Sequence, residues 1–218
     1  MRIAFLGDSL TEGRPGESFL DRLRPRLPDD VLQNHGRAGD TIPGLLARLE
    51  AGELGAAELA VVWIGTNDAL LGEWYLPPLP EADEAGAPSA GTDPSPAPDA
   101  TGIRLRPFYE RILDLTLARA SLAVCVPPVL PDPFEQGGIA DRVAGIGAMT
   151  AAAAAARGAR AEFFDLARAF AAAASRGQRG FTLDGVHLNA RGAEVVAAAL
   201  GELIATIRAA GWATPPPP

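Results

Sequence analysis

The chain contains no lysine, only one cysteine and only two histidines in 218 residues. Its 19 cations are all arginines, outnumbered by 27 acids for a formal charge of −8, and they are spread along the sequence without forming a cluster. A protein that grips nucleic acid through phosphates carries a basic face, so nucleic acid is excluded as an expected partner. The same lack excludes an electrostatic anchor on an anionic membrane. Cys125, standing alone, rules out an intramolecular disulfide; with no His or basic neighbour it reads as a small core residue and not a nucleophile. The apolar run after Met1 ends at Gly7, too short for a secretory leader, and no stretch approaches the ~20 apolar residues of a membrane span. The chain as written is therefore expected to be cytoplasmic, although a secreted form with its leader removed would read the same. No internal repeat occurs at solenoid or propeller periods.

What is present is a globular composition, 48% hydrophobic and 21% charged, of a length that favours one domain over residues 1–212. Two stretches stand apart from it. Between Leu76 and Thr101 there is no cation and seven prolines fall between Pro77 and Pro98, so residues 77–102 read as an acidic, Pro-rich surface insertion, unable to bury enough apolar area to order itself. Residues 213–218 read as a Pro-rich tail.

Elsewhere short apolar runs alternate with helical patterns. Arg2–Leu6, Val31–Asn34, Leu59–Ile64, Leu122–Val126 and Ala161–Asp165 have strand character, mostly as continuous apolar runs expected of a sheet covered on both faces. Helices are predicted from the Ser18 cap to Pro28, behind Asp40 or Thr41, around Phe108 to Leu115, over 142–157, over 166–175 and over 190–210, several with a glycine stop. The alternation predicts an α/β protein with a parallel sheet between two helical layers. Ligands of such folds bind beyond the carboxyl ends of the strands.

Four segments bring reactive side chains to that edge: GDSLTEG (Gly7 to Gly13), NHGRAGDT (Asn34 to Thr41), GTND (Gly65 to Asp68) and DGVH (Asp184 to His187). Acyl transfer needs a nucleophile, a base, a group that orients the base, and donors aimed at the developing oxyanion. Ser9 lies on a turn right after a strand, with Gly7 allowing the bend. His187 is the leading base, and Asp184, three residues earlier, can face the same side of one turn. The donors would be the backbone N–H groups of Ser9 and Gly39 and the side-chain amide of Asn67. Each residue alone also has a plainer reading: Ser9 as a helix cap, His187 as a loop residue, Asp184 as a turn former. His35 has no partner at useful spacing and reads as structural or rim, while Asp8, Asp40 and Asp68 are expected to brace turns or cap helices. Val126, Pro127 and Pro128 form a rigid exit from the fourth strand, the isomers of its prolyl bonds being open.

These four blocks, in this order and spacing from Gly7 to His187, resemble the signature blocks of the SGNH (GDSL) hydrolase superfamily. The resemblance implies a flavodoxin-like five-stranded parallel sheet in a three-layer sandwich, with no metal and no organic cofactor. It assigns Ser9 as nucleophile, Asp184 and His187 as its partners, and Gly39 and Asn67 as completing the oxyanion hole. Leu188 departs from it, since many members carry proline after the histidine.

The expected activity is a serine esterase that hydrolyses carboxylic esters of small or medium acyl groups through an acyl-enzyme on Ser9. A lysophospholipase or thioesterase and a carbohydrate O-acetylesterase would share the apparatus. A non-catalytic ligand-binding domain is the alternative of another class, although binding alone gives no reason to keep Ser9, Asn67, Asp184 and His187 together. The expected partner is a small-molecule ester, with the oligomeric state open; a nucleotide-binding fold is disfavoured, because the GDSLTEG turn has neither glycine-rich phosphate motif. Trp74 and Tyr75, which follow GTND, are candidates for the acyl-pocket wall, with a packing role for Trp74 as the competing reading.

Overall fold

The computed structural model describes residues 1–72, 100–134 and 137–211. Five strands, β1 (Arg2–Gly7), β2 (Val31–Gly36), β3 (Ala57–Trp63), β4 (Ala120–Val126) and β5 (Ala161–Phe163), form one sheet of order β2-β1-β3-β4-β5, with every pair parallel. This is the flavodoxin-like doubly wound order, in which the strand sequence reverses between β1 and β3. Among the described residues eight α-helices accompany the strands: α1 (Ser9–Glu12), α2 (Phe19–Leu23), α3 (Ile42–Glu50), α4 (Thr66–Leu71), α5 (Ala100–Leu117), α6 (Ile139–Ala155), α7 (Ala167–Ser175) and α8 (Ala190–Ala209).

Strand side chains alternate between the sheet's two faces, so unbroken apolar runs supply two cores at once. Ile3, Phe5, Leu59, Val61, Trp63, Val124 and Val126 face the layer of α2, α7 and α8, meeting Leu20, Leu23, Phe170, Val196, Leu200 and Ile204. Ala4, Leu6, Ala60, Val62, Ala123 and Cys125 face α3, α5 and α6, meeting Leu45, Tyr109, Ile112, Ile146 and Met149. Phe19 packs between Phe5 and Trp63, its ring centroid 5.8 Å from each.

Local chemistry sets most helix starts. The Ser18 hydroxyl accepts from Asp21 N–H, the Thr41 hydroxyl from Gly44 N–H, and the Asn189 side chain from Arg191 and Gly192 N–H. Several boundaries differ from those expected, three of them for a clear local reason. The helix after Ser18 stops at Leu23 and tightens into a 3₁₀ turn over Arg24–Arg26, because Pro25 has no N–H with which to continue an α-helix. The fifth strand ends at Phe163, since the Asp165 side chain turns back to accept from Ala167 N–H and opens α7. And α5 begins at Ala100, inside the span read as insertion; Gly102 fits there because α6 passes so close that a Cβ would lie 2.5 Å from Gly145 O. The remainder of that insertion, and the 213–218 tail, lie outside the described residues. The peptide bonds before Pro127 and Pro128 are trans; among the described residues only Arg14–Pro15 is cis.

Gly7 closes β1 in a space that admits no side chain: a Cβ would come within 2.2 Å of Trp63 O on β3 and 2.3 Å of Thr11 Oγ1 on α1. The nearer atom is sheet backbone and cannot swing aside. We expect Gly7→Ala to lower the unfolding free energy by about 1–3 kcal/mol, the usual range for overpacking, as read from a denaturant titration. Unchanged stability would show that the β1–β3 edge can part without loss.

Candidate active site

The carboxyl ends of β1 and β3 flank the point where the strand order reverses, and the site is assembled there. Gly7 ends β1, the Asp8 side chain accepts from Leu10 N–H at 3.0 Å, and Ser9 is the first residue of α1. Its hydroxyl thus sits at the head of a helix, beside backbone N–H groups that a helix leaves unpaired at its start. Against it stands a residue 178 positions away: His187 Nε2 lies 3.1 Å from Ser9 Oγ. On the other side of the ring, His187 Nδ1 lies 2.7 Å from Asp184 Oδ2.

The local turn explains how Asp184 reaches the ring. Its Oδ1 accepts from Val186 N–H at 3.0 Å and His187 N–H at 2.8 Å, which folds DGVH into a compact turn and leaves Oδ2 aimed at the imidazole. Burial opposes ionisation, but the hydrogen bonds from the His187 side chain and from these two N–H groups outweigh it and hold the carboxyl down at about 2. Leu188, the departure from the family pattern, has its side chain buried in the core beneath this turn, and its carbonyl accepts from Glu17 N–H at 2.8 Å.

The other two expected donors lie on neighbouring strand ends. Gly39 is exposed at φ +77°, with open space where a Cβ would stand, in the loop between β2 and α3. Glu12 of α1 accepts from Ala38 N–H, and Gly7 O accepts from Arg37 N–H, so this loop is tied to the turn that carries Ser9. Asn67, in the first turn of α4, donates through Nδ2 to Asp40 O at 2.7 Å. That bond orients the amide and leaves its second hydrogen for another acceptor.

Beneath these groups lie three buried acids in the bracing positions expected of them. Asp8 caps α1; Asp68 accepts from Ile42 N–H at 3.0 Å at the start of α3; Asp40 pairs with Arg48 Nη1 at 2.5 Å. Burial, with further push from neighbouring carboxylates, raises Asp8 and Asp68 each from 3.8 to about 7, against the pull of the backbone N–H groups they accept from. Arg48, itself buried, also bonds Glu53 and donates to His35 O at 2.6 Å.

The structure therefore brings Ser9, Asp184 and His187 into one hydrogen-bonded chain, with Asn67 and Gly39 on the adjacent strand ends. His35 is half-buried away from that chain, its imidazole held below its ordinary value by burial and then by the Arg48 charge. Burial pushes the Cys125 thiol to about 11, consistent with an inert core residue. Trp74 and Tyr75 lie outside the described residues. Sequence reading missed Glu12, Arg48 and Asp132, because nothing in their local sequence marks their partners. Among the described residues no helix is long and apolar enough to cross a membrane.

A doubly wound sheet with a Ser–His–Asp chain at its switch point defines a hydrolase of the acyl-transfer kind. The chain belongs to the GDSL-like lipase/acylhydrolase family, whose model matches residues 5–195. Its fold is similar to that of a lipolytic G-D-S-L family member from Veillonella parvula, at 18% identity and a TM-score of 0.68 over 94% of this chain and 98% of that one. It is also similar to a catalytic mutant of Axe2, an acetylxylan esterase from Geobacillus stearothermophilus, at 17% identity and a TM-score of 0.66 over 98% and 96%. LAE5, an alpha/beta hydrolase from the Lake Arreo metagenome, matches at 20% identity with a TM-score of 0.66 over 98% and 96%. No curated protein matches the sequence.

The buried acids give this site a pH signature. Asp8 and Asp68 keep their protons when folded up to about 7, whereas the unfolded chain releases them near 3.8. Their stability contribution is thus fully present below the lower value and is lost as pH rises through the upper one. We expect Asp8→Asn, which removes one such proton site, to gain melting temperature over the parent progressively from pH 4 to 7 and to level off above. A gain independent of pH would show that Asp8 is not protonated in the native state.

Proposed function

We propose that this enzyme hydrolyses carboxylic esters of small or medium acyl groups through an acyl-enzyme on Ser9. The observation that carries the reading is the continuous chain from Ser9 Oγ through His187 to Asp184, at 3.1 and 2.7 Å. In the tautomer with Nδ1–H donated to Asp184, Nε2 is free to accept the serine proton as Oγ attacks the ester carbonyl. The developing oxyanion is met by Ser9 N–H, Gly39 N–H and the second amide hydrogen of Asn67. His187 then protonates the leaving alkoxide, and a water repeats the sequence to release the acid. Asp184, held down at about 2, stays charged at every working pH and offsets the imidazolium formed in each step.

The similar fold of Axe2 supports a short acyl group. Catalytic mutants of that esterase replace a serine, an aspartate and a histidine, the last two three positions apart as Asp184 and His187 are here.

We expect Ser9→Ala and His187→Ala each to lower turnover of p-nitrophenyl acetate by several orders of magnitude, and the double variant to lose little more, because the residues act as one unit. Fluorophosphonate should label the parent stoichiometrically and Ser9→Ala not at all. Asn67→Ala should cost about 10²–10³ in turnover. Activity should fall on the acid side, since a protonated His187 cannot take the serine proton. Substantial esterase activity in Ser9→Ala would reject the mechanism. A panel of p-nitrophenyl esters of increasing chain length, run beside acetylated xylo-oligosaccharides and acyl-CoA, separates the substrate classes.

A further inference from the structure

One of the outside holds on the turn that carries Asp184 and His187 is a single carboxylate. After β4 the chain leaves through Pro127 and Pro128 to Asp132, which lies at the same sheet edge as the Ser–His–Asp chain. A single oxygen of this half-buried residue, Oδ2, accepts three hydrogen bonds: from Phe181 N–H at 2.7 Å, Thr182 N–H at 2.8 Å and Thr182 Oγ1 at 2.6 Å. The Thr182 hydroxyl, with its own proton committed to Asp132, in turn accepts from Gly185 N–H at 3.1 Å. Gly185 lies between Asp184 and His187 in sequence distance and in the turn itself, so the carboxylate is two hydrogen bonds from the backbone that aims both side chains.

A second contact from the same segment presses on the same place. Phe134 packs against Gly185 so closely that a Cβ there would be 2.5 Å from Phe134 Cδ2. Other side chains hold this arm from α7 and α8: Phe181 packs edge-on against Phe170, and Arg191 donates to Arg179 O. Asn189 donates to Gly180 O and Thr182 O and also caps α8. Asp132 and Phe134 link the arm to the exit of β4, whose register is set by β3.

We propose that Asp132 is a positioning residue for the reaction, acting through Thr182 and Gly185 to hold the Asp184–His187 pair in register with Ser9. The inference rests on the triad reading above. Asp132 touches none of the reacting atoms; its effect is on how often His187 Nε2 lies within reach of Ser9 Oγ. Because misplacement of about 1 Å can cost roughly 10²-fold in rate, its loss should act on turnover and leave ground-state substrate binding unchanged.

The test compares Asp132→Ala and Asp132→Asn in the full chain, well below their melting temperatures. Asn keeps an acceptor oxygen in place; Ala does not. For Asp132→Ala we expect kcat for p-nitrophenyl acetate to fall about 10²-fold with KM little changed. The low-field proton resonance of the His187 Nδ1–H···Asp184 bond should broaden or vanish with it. In Asp132→Asn both should return to within a few-fold of the parent. If Asp132→Ala fails to fold, Thr182→Val takes its place: it removes the hydroxyl that joins Asp132 to Gly185, and kcat should fall about tenfold or more with KM little changed. Parental kcat and an intact resonance in Asp132→Ala, or equal losses in the Ala and Asn variants, would overturn the proposal. Activity retained by Ser9→Ala in the same assay would instead reject the triad reading, so the two failures are distinguishable.

Discussion

The contact between Ser9 Oγ and His187 Nε2 joins the first strand's turn to a loop 178 residues further along, and most of the fold exists between those two points. Closing so long a loop costs conformational entropy that a single hydrogen bond cannot offset. The two ends are instead delivered by packing. β1 lies in the sheet between β2 and β3, and α8, which follows the catalytic turn, sits on that sheet through Val196, Leu200 and Ile204. The Leu188 carbonyl accepts from Glu17 N–H, so the turn carrying His187 rests on the segment that follows α1. Ser9 and His187 face each other because two hydrophobic layers have already fixed their backbones.

The polar layer under the site runs against stability. Asp8, Asp40 and Asp68 are all buried within a few residues of the proposed nucleophile and oxyanion donors. If all three were ionised, their field would oppose the negative charge that develops on the substrate oxygen. The fold deals with this in two ways. Burial raises Asp8 and Asp68 to about 7, so each holds its proton through the acidic range, while the charge of Asp40 is matched by Arg48 at 2.5 Å. The same acids anchor backbone N–H groups at the starts of α1 and α3, which is what keeps the three strand-end loops in place. A cost in stability at the site is exchanged for geometry, a common bargain where function sets the constraint.

Legibility in the sequence followed the range of the interaction. The five strands could be read because buried parallel strands are unbroken apolar runs, and the caps at Ser18 and Thr41 act within three residues. Ser9, Asp184, His187, Gly39 and Asn67 could be singled out because each ends a strand or sits in a short motif. Asp132 could not. Its partners Phe181 and Thr182 lie 49 and 50 residues away, and nothing in PPVLPDPF marks one acid as a clamp for a distant turn. Arg48 was equally silent: on α3 it resembles a solvent-facing cation, and only the folded structure buries it against Asp40 and His35 O. The early stop of the helix at Leu23 was readable in principle, since Pro25 interrupts an apolar repeat that otherwise runs on to Leu27.

Asp184 shows why a plain structural reading and a chemical one need not compete. One of its oxygens accepts from Val186 and His187 N–H, as any turn-forming aspartate would; the other meets the His187 ring. The turn bonds point the second oxygen, and the second oxygen selects the imidazole tautomer in which Nε2 can accept a proton. Removing the turn-forming half would disorient the half that meets the imidazole, since both belong to one rigid carboxylate. Asp8 follows the same logic, capping α1 and thereby fixing the first helical residue, Ser9. In this fold the residues that shape the strand-end loops are largely the residues that organise the chemistry, and three-residue spacings recur because one turn is the smallest unit that can do both.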